Sequence, residues 1–171
     1  MQQEPLFAVR DLRVSFTRHG QSFEAVRGIS LAVDHGEVLG IVGESGSGKS
    51  VGMLSALGLQ PKTASVSGSA RFKGRELVGM PMAQLRALRG SRIAMIFQDP
   101  LSSLNPVMTV GAQIAETIRL HNAGVSKKAA MDRAAELLAL VAIPQPDRRF
   151  NRYPHEFSGG MRQRVMIAMA V

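Results

Sequence analysis

The 171-residue sequence has no cysteine, no tryptophan and a single tyrosine. Lacking cysteine, the chain can form no disulfide, no thiolate metal site and no cysteine nucleophile, and a cytosolic setting is the expectation. Long hydrophobic runs are also missing. The longest are Leu137–Ile143 and Val165–Val171, seven residues each. A bilayer span needs about 20, so no membrane span of its own is expected. The start, MQQEPLFAVR, lacks the basic stretch followed by a long apolar one that marks a secretory signal. Acidic residues are scarce: 13 against 21 Lys and Arg, a formal net charge of +8.

What is present is a chain that can build a core, with 45% apolar residues. At roughly 150 residues per domain it is one domain or part of one. Residues 1–60 carry five basic and six acidic side chains, and residues 61–171 carry sixteen and seven. A basic half suits nucleic acid, anionic lipid or nucleotide phosphate, and equally a solvated basic face or a fragment whose acidic remainder lies elsewhere. Basic residues are not interleaved with aromatics, so no direct nucleic-acid contact is expected.

Alternation predicts short strands at Phe7–Val9, Val14–Phe16, Phe23–Val26 and Ile29–Val33, with turns at His19-Gly20 and Asp34-His35-Gly36. Val38–Val42 reads as a buried parallel strand, and Ile93–Phe97 as a second. Helices are predicted over Ser50–Leu59, Met82–Arg89 and Val110–His121. Another starts after Ser126 and stops at Pro144 and Pro146, and a last one starts near Ser158. A further strand is expected at Ser69–Lys73. Asp99-Pro100 and Asn105-Pro106 break the chain.

Between the first apolar strand and the first helix lies Gly43-Glu44-Ser45-Gly46-Ser47-Gly48-Lys49-Ser50, a full G-x-x-x-x-G-K-[ST] pattern. Glycines let backbone N–H groups turn inward around phosphate. The helix that follows aims its free N–H groups and partial positive charge at the same anion. Lys49 is placed for the β- and γ-phosphates and Ser50 for Mg²⁺. A chance glycine-rich turn is the competing reading; a strand before the loop and a helix after it argue against that. Pattern alone offers Asp99, after the second strand, as the acid that holds Mg²⁺.

Downstream, Phe157-Ser158-Gly159-Gly160-Met161-Arg162-Gln163-Arg164 resembles the signature of ABC-transporter ATPase subunits, usually Leu-Ser-Gly-Gly-Gln. RIAMIFQDPLSSLNPVMTVG (92–111), RYPHEFSGGMRQRVMIAMA (152–170) and GIVGESGSGKSV (40–51) resemble the subfamily that energises import of dipeptides, oligopeptides, nickel and glutathione. The resemblance covers essentially the whole chain. It implies an α/β fold: a P-loop NTPase core on a mainly parallel sheet, an N-terminal antiparallel β-subdomain, and a Q-loop and helical subdomain near residues 95–160. Residues 1–171 would then form an incomplete ABC-type ATP-binding domain.

The resemblance also implies site roles. Gly43–Ser50 and Val51 bind ATP as the Walker A loop and the helix start. Gln98 is the Q-loop glutamine, touching Mg²⁺ and the attacking water, so Asp99 becomes its neighbour. Lys49 and Gln98 are the catalytic pair, and Ser50 and Gln98 the metal contacts. Phe16 stacks on adenine, and plain core packing is its alternative. Ser158, Gly159 and Gly160 meet ATP held by a second ATPase subunit, in a homo- or heterodimer. Phe157 and Met161 depart from the usual signature; methionine is common in this subfamily, and phenylalanine is bulkier than leucine. Transmembrane permease subunits would dock after the Q-loop, at Leu101–Val110 or Val110–Leu120. The implied location is the cytoplasmic face of the cell membrane, peripherally attached. The family's Walker B Asp, catalytic Glu, D-loop and switch His do not occur within residues 1–171. The expectation is therefore a fragment with negligible hydrolysis and poor solubility, its central strands lacking a neighbour. The other readings are a nucleotide-binding module without hydrolysis, or a soluble ABC ATPase acting on nucleic acid.

Overall fold

A computed structural model describes residues 4–18, 20–99 and 103–171. The expectations placed on His19, Pro100 and Leu101 lie outside the described residues. The chain divides into two compact units, residues 1–85 and 86–171.

The first unit is built on a four-stranded sheet in the order β2-β1-β3-β4. Its strands are β1 (Phe7–Arg18), β2 (Gln21–Val33), β3 (Ala64–Phe72) and β4 (Arg75–Glu76), all paired antiparallel. The four short N-terminal strands expected from alternation are thus two long ones. The alternation breaks because the ladder shifts register between Val9 and Leu12 on the β2 side, and between Arg10 and Arg13 on the β3 side. One extra residue there flips the pleat. Val9, Leu12 and Val14 all end up buried although the first two are three apart. Asp11 sits at the bulge with φ 43°, and its N–H donates to Ser30 Oγ at 2.9 Å. Ala70 and Phe72 of β3 and Val26 of β2 are buried too, as are Leu77 and Leu85.

Helix α1 (Lys49–Ala56) is shorter than the predicted Ser50–Leu59. It closes in a Schellman motif: the Leu59 N–H donates to Leu54 O at 2.8 Å and the Gly58 N–H to Ser55 O at 3.0 Å. A short helix, α2 (Met82–Leu88), follows the sheet.

Two strand expectations differ from the structure. Val38–Val42 and Ile93–Phe97 join no ladder among the described residues; the nearest feature is one parallel bridge, Arg89 with Ile93. Val38 is 95% exposed and Val42 93%. A parallel strand takes its hydrogen bonds from flanking strands and its burial from covering helices. Neither stretch has a strand beside it among the described residues, so apolar sequence alone does not make them strands.

The second unit packs α3 (Val110–His121), α4 (Lys127–Leu140), the short α5 (Pro146–Arg149) and α6 (Gly159–Ala170). α3 has the predicted boundaries. Ser126 caps α4, its Oγ accepting from the Ala129 N–H at 3.1 Å. Ile114, Ala130, Ala134, Leu138, Phe157 and Val165 form its buried centre, with Ala130 and Ala134 one turn apart and small enough for close helix approach. Gly111 of α3 lies under the Phe150 ring: a Cβ there would be 2.5 Å from ring carbons.

Candidate functional site

The predicted phosphate loop leads directly into α1. Gly48 is the N-cap, with φ 89°, and no side chain caps the helix. The Gly48 cap thus supplies no side-chain acceptor to the first-turn N–H groups. Gly48 is set tightly against β2: a Cβ would lie 2.6 Å from Ala25 O and 3.3 Å from Val26 Cγ2. Both the left-handed dihedral and the close approach require glycine.

Lys49 is folded back over its own loop. Its Nζ donates to Gly43 O at 2.6 Å, Glu44 O at 2.6 Å and Ser47 Oγ at 3.2 Å. Three donors thus meet three loop oxygens, and the loop is closed around an ammonium charge. The Ser47 N–H donates to Glu44 O at 3.3 Å. Ser45, Gly46 and Ser47 are exposed, Ser50 is exposed on the first helical turn, and Val51 is half-buried. Basic charge and a helix end without a side-chain cap meet at the Gly48–Lys49 junction, and both favour an anion.

Phe16 lies in the same unit, half-buried on β1. It pairs in register with Phe23 on β2, and the rings stack with centroids 5.5 Å apart and planes 21° apart. Phe23 was not singled out by the sequence, where it reads as one of several strand aromatics; only the hairpin register brings it to Phe16.

Gln98 and Asp99 are exposed and lie in the second unit. So does the signature segment. Ser158 caps α6, its Oγ accepting from the Met161 N–H at 3.4 Å, with Gly159 and Gly160 exposed on the first turn. The two departures from the usual signature are gathered by one residue. The Arg149 guanidinium lies 5.9 Å from the centre of the buried Phe157 ring and donates to Met161 Sδ at 3.2 Å.

A 3₁₀ turn, Pro154–Glu156, precedes the signature and is braced from both sides. The Arg162 Nε donates to Pro154 O at 2.8 Å. Glu156 accepts from the Tyr153 N–H at 2.8 Å and from Arg152 at 2.9 Å. The Tyr153 amide bond, helped by Arg152, holds the Glu156 carboxyl below its ordinary pKa. The sequence signal for this brace was available: a glutamate three residues after the capping position. Gln113 is a second supporting residue that sequence reading missed. It is buried, accepts from the Asn105 N–H at 2.9 Å and donates to Asn105 O and Met108 O at 3.0 Å each. These bonds fix residues 105–108 against α3, leaving Val107 at their tip 79% exposed.

No group of three His, Cys, Asp or Glu side chains able to hold a metal ion occurs among the described residues. No described helix is long and apolar enough to cross a membrane.

The ABC transporter family model matches residues 26–171, and the chain belongs to that family. Its relatives sharpen the assignment. It is 53% identical over 167 residues to the oligopeptide transport ATP-binding protein OppD of Mycobacterium tuberculosis, covering 98% of this chain and 27% of the relative. It is 47% identical over 170 residues to OppD of Escherichia coli, covering 99% and 50%. It is 46% identical over 170 residues to the dipeptide transport ATP-binding protein DppD of Bacillus subtilis, covering 98% and 50%. The chain thus spans from about a quarter to about half the length of these curated relatives. Among solved structures it resembles the ATP-binding cassette MJ0796 in a dimeric post-hydrolysis state bound to ADP and Pi. The TM-score is 0.83 at 25% identity, over 96% of this chain and 68% of that one. The fold class is therefore that of an ABC cassette, of which residues 1–171 supply the antiparallel sheet, the phosphate loop and the helices.

Proposed function

We propose that residues 1–171 bind Mg²⁺-ATP and form the nucleotide-binding part of an ATPase subunit that powers import of peptides or related small solutes. The observation that carries this is the Gly48–Lys49 junction: an uncapped helix end meets an ammonium group held only by loop oxygens. Lys49 exchanges those oxygens for the β- and γ-phosphate oxygens of ATP, and the loop amides of Gly43–Ser50 and Val51 take the rest. Ser50 supplies a hydroxyl to Mg²⁺. No group of three His, Cys, Asp or Glu side chains able to hold a metal ion occurs among the described residues, so the ion would rely on Ser50 and the nucleotide's own oxygens. The ion, when bound, screens phosphate charge.

Phe16 receives the adenine, and Gln98 meets Mg²⁺ and the attacking water. Ser158, Gly159 and Gly160 present a second uncharged helix start to the γ-phosphate held by a second ATPase subunit. Residues 95–160 act as the Q-loop and helical subdomain, and the segment that Gln113 holds meets the transmembrane permease subunits. The working place is the cytoplasmic face of the cell membrane. Residues 1–171 contain no carboxylate in the position of the family's general base. Loss of such a base lowers rates by about 10²–10⁴, so this stretch alone binds nucleotide with negligible turnover.

The test is equilibrium binding of Mg²⁺-ATP by the chain and by Lys49→Ala. Loss of binding by at least about tenfold, roughly the worth of one buried charge-assisted bond, is the expected result. Equal affinity in the two would overturn the assignment.

A further inference from the structure

The sheet carries a feature that Phe16 alone does not explain. The β1–β2 ladder shifts register between Val14 and Ser15, while the β1–β3 ladder runs evenly through Val14↔Val66, Ser15↔Ser65 and Phe16↔Ala64. Phe16 therefore shares the face of Val14, two residues away. On β2 the shift skips Ala25, pairing Val14 with Val26 and Ser15 with Glu24. Strict alternation would put Phe23 and Val26, three apart, on opposite faces; the bulge puts them on the same one. Gly48 of the proposed phosphate loop is set against Ala25 and Val26, a Cβ built on it lying 2.6 Å from Ala25 O and 3.3 Å from Val26 Cγ2.

The bulge thus brings three things onto one face: the seat of the phosphate loop, Phe16, and Phe23 stacked on Phe16 at 5.5 Å. Along β2 the stack lies about 10 Å from Val26 at roughly 3.3 Å per residue, a span that a ribose and its first phosphates can bridge. Phe23 keeps 56% of its surface exposed, although it belongs to a stacked pair. On the other side of Phe16 the register partner is Ala64, the smallest side chain that a strand can present there.

We propose that Phe23 is the second ring of a base-binding platform: it stacks on Phe16, fixes that ring's plane and adds apolar area under a purine base. This rests on reading Gly43–Ser50 as the ATP phosphate site. A stacked partner at 5.5 Å restricts the Phe16 ring, so less rotamer freedom is lost when the base arrives.

The experiment measures the dissociation constants of Mg²⁺-ATP and of inorganic tripolyphosphate for the 171-residue chain and for Phe23→Ala, Phe23→Leu, Phe23→Tyr and Lys49→Ala. Tripolyphosphate reads the phosphate loop alone. The expected result is an ATP constant raised about three- to tenfold in Phe23→Ala and Phe23→Leu, the worth of one aromatic pair. Tripolyphosphate should be unchanged, and Phe23→Tyr should keep the native affinity. An unchanged ATP constant in Phe23→Ala would overturn the platform. So would an equal weakening of ATP and tripolyphosphate, which would make Phe23 a scaffold residue only. If Lys49→Ala leaves tripolyphosphate binding intact, the phosphate-loop reading itself fails, and the platform falls with it.

Discussion

Gly48 and Ala25 meet so closely that a single added methyl group at Gly48 would sit 2.6 Å from the Ala25 carbonyl oxygen. Helix α1, whose N-terminus is proposed to meet phosphate, is thereby seated on the sheet through a backbone-to-backbone contact. Gly48→Ala adds both that clash and a left-handed alanine at φ 89°. The expected cost is about 1–3 kcal/mol. Tripolyphosphate affinity should fall more than tenfold, because the loop amides shift with the helix start. Calorimetric titration beside a thermal melt checks both; native affinity in Gly48→Ala would mean that the contact is not what places the loop.

Gly111 and Phe150 make the corresponding tight contact in the helical unit. Gly111→Ala drives a methyl into the ring and should destabilise by about 1–3 kcal/mol, as overpacked cores do. Gly111→Ala combined with Phe150→Leu should recover part of that loss. A double variant no more stable than the single one would show that the ring is not the obstacle.

Glu156 makes the signature turn sensitive to acid. Its folded pKa lies below the ordinary glutamate value, chiefly through the Tyr153 amide. The bond's contribution is therefore complete above the unfolded-state pKa and is lost as pH falls through the lower folded value. Hydrogen exchange at the Tyr153 amide should accelerate, beyond its intrinsic pH trend, below about pH 4. In Glu156→Gln that extra step should vanish, since the neutral amide accepts the same bond at every pH.

Ser55 is buried on α1, and its hydroxyl has no hydrogen-bond partner among the described residues. Removing an unsatisfied buried hydroxyl relieves about 1 kcal/mol. Ser55→Ala should raise the melting temperature by a few degrees and leave tripolyphosphate affinity unchanged. A lower melting temperature would mean that the hydroxyl is satisfied in solution.

The parts of this protein that local chemistry dictates were readable in the sequence. The passage of the glycine-rich stretch into α1 at Gly48, the caps at Ser126 and Ser158 and the bounds of α3 each depend on a few neighbouring residues. The parts set by pairing were not. Nothing local announces the bulges that merge four expected strands into β1 and β2, or that bring Phe23 to Phe16, because register is a property of two strands at once. Val38–Val42 shows the same limit from the other side: its residues suit a buried strand, but a strand exists only where another lies beside it.

That segment has a further consequence. The proposed phosphate loop is anchored downstream by Gly48 on β2 and by the grip of Lys49, while its upstream lead, Val38–Val42, is tethered to no ladder among the described residues. A loop fixed at one end loses more freedom when it wraps an anion than a loop fixed at both. Any strand laid against Val38–Val42 would remove part of that entropy loss in advance, and nucleotide would in turn favour the strand's docking by the same free energy. On the proposed reading, sheet completion and phosphate affinity would be two readings of one coupling, carried by five residues of backbone.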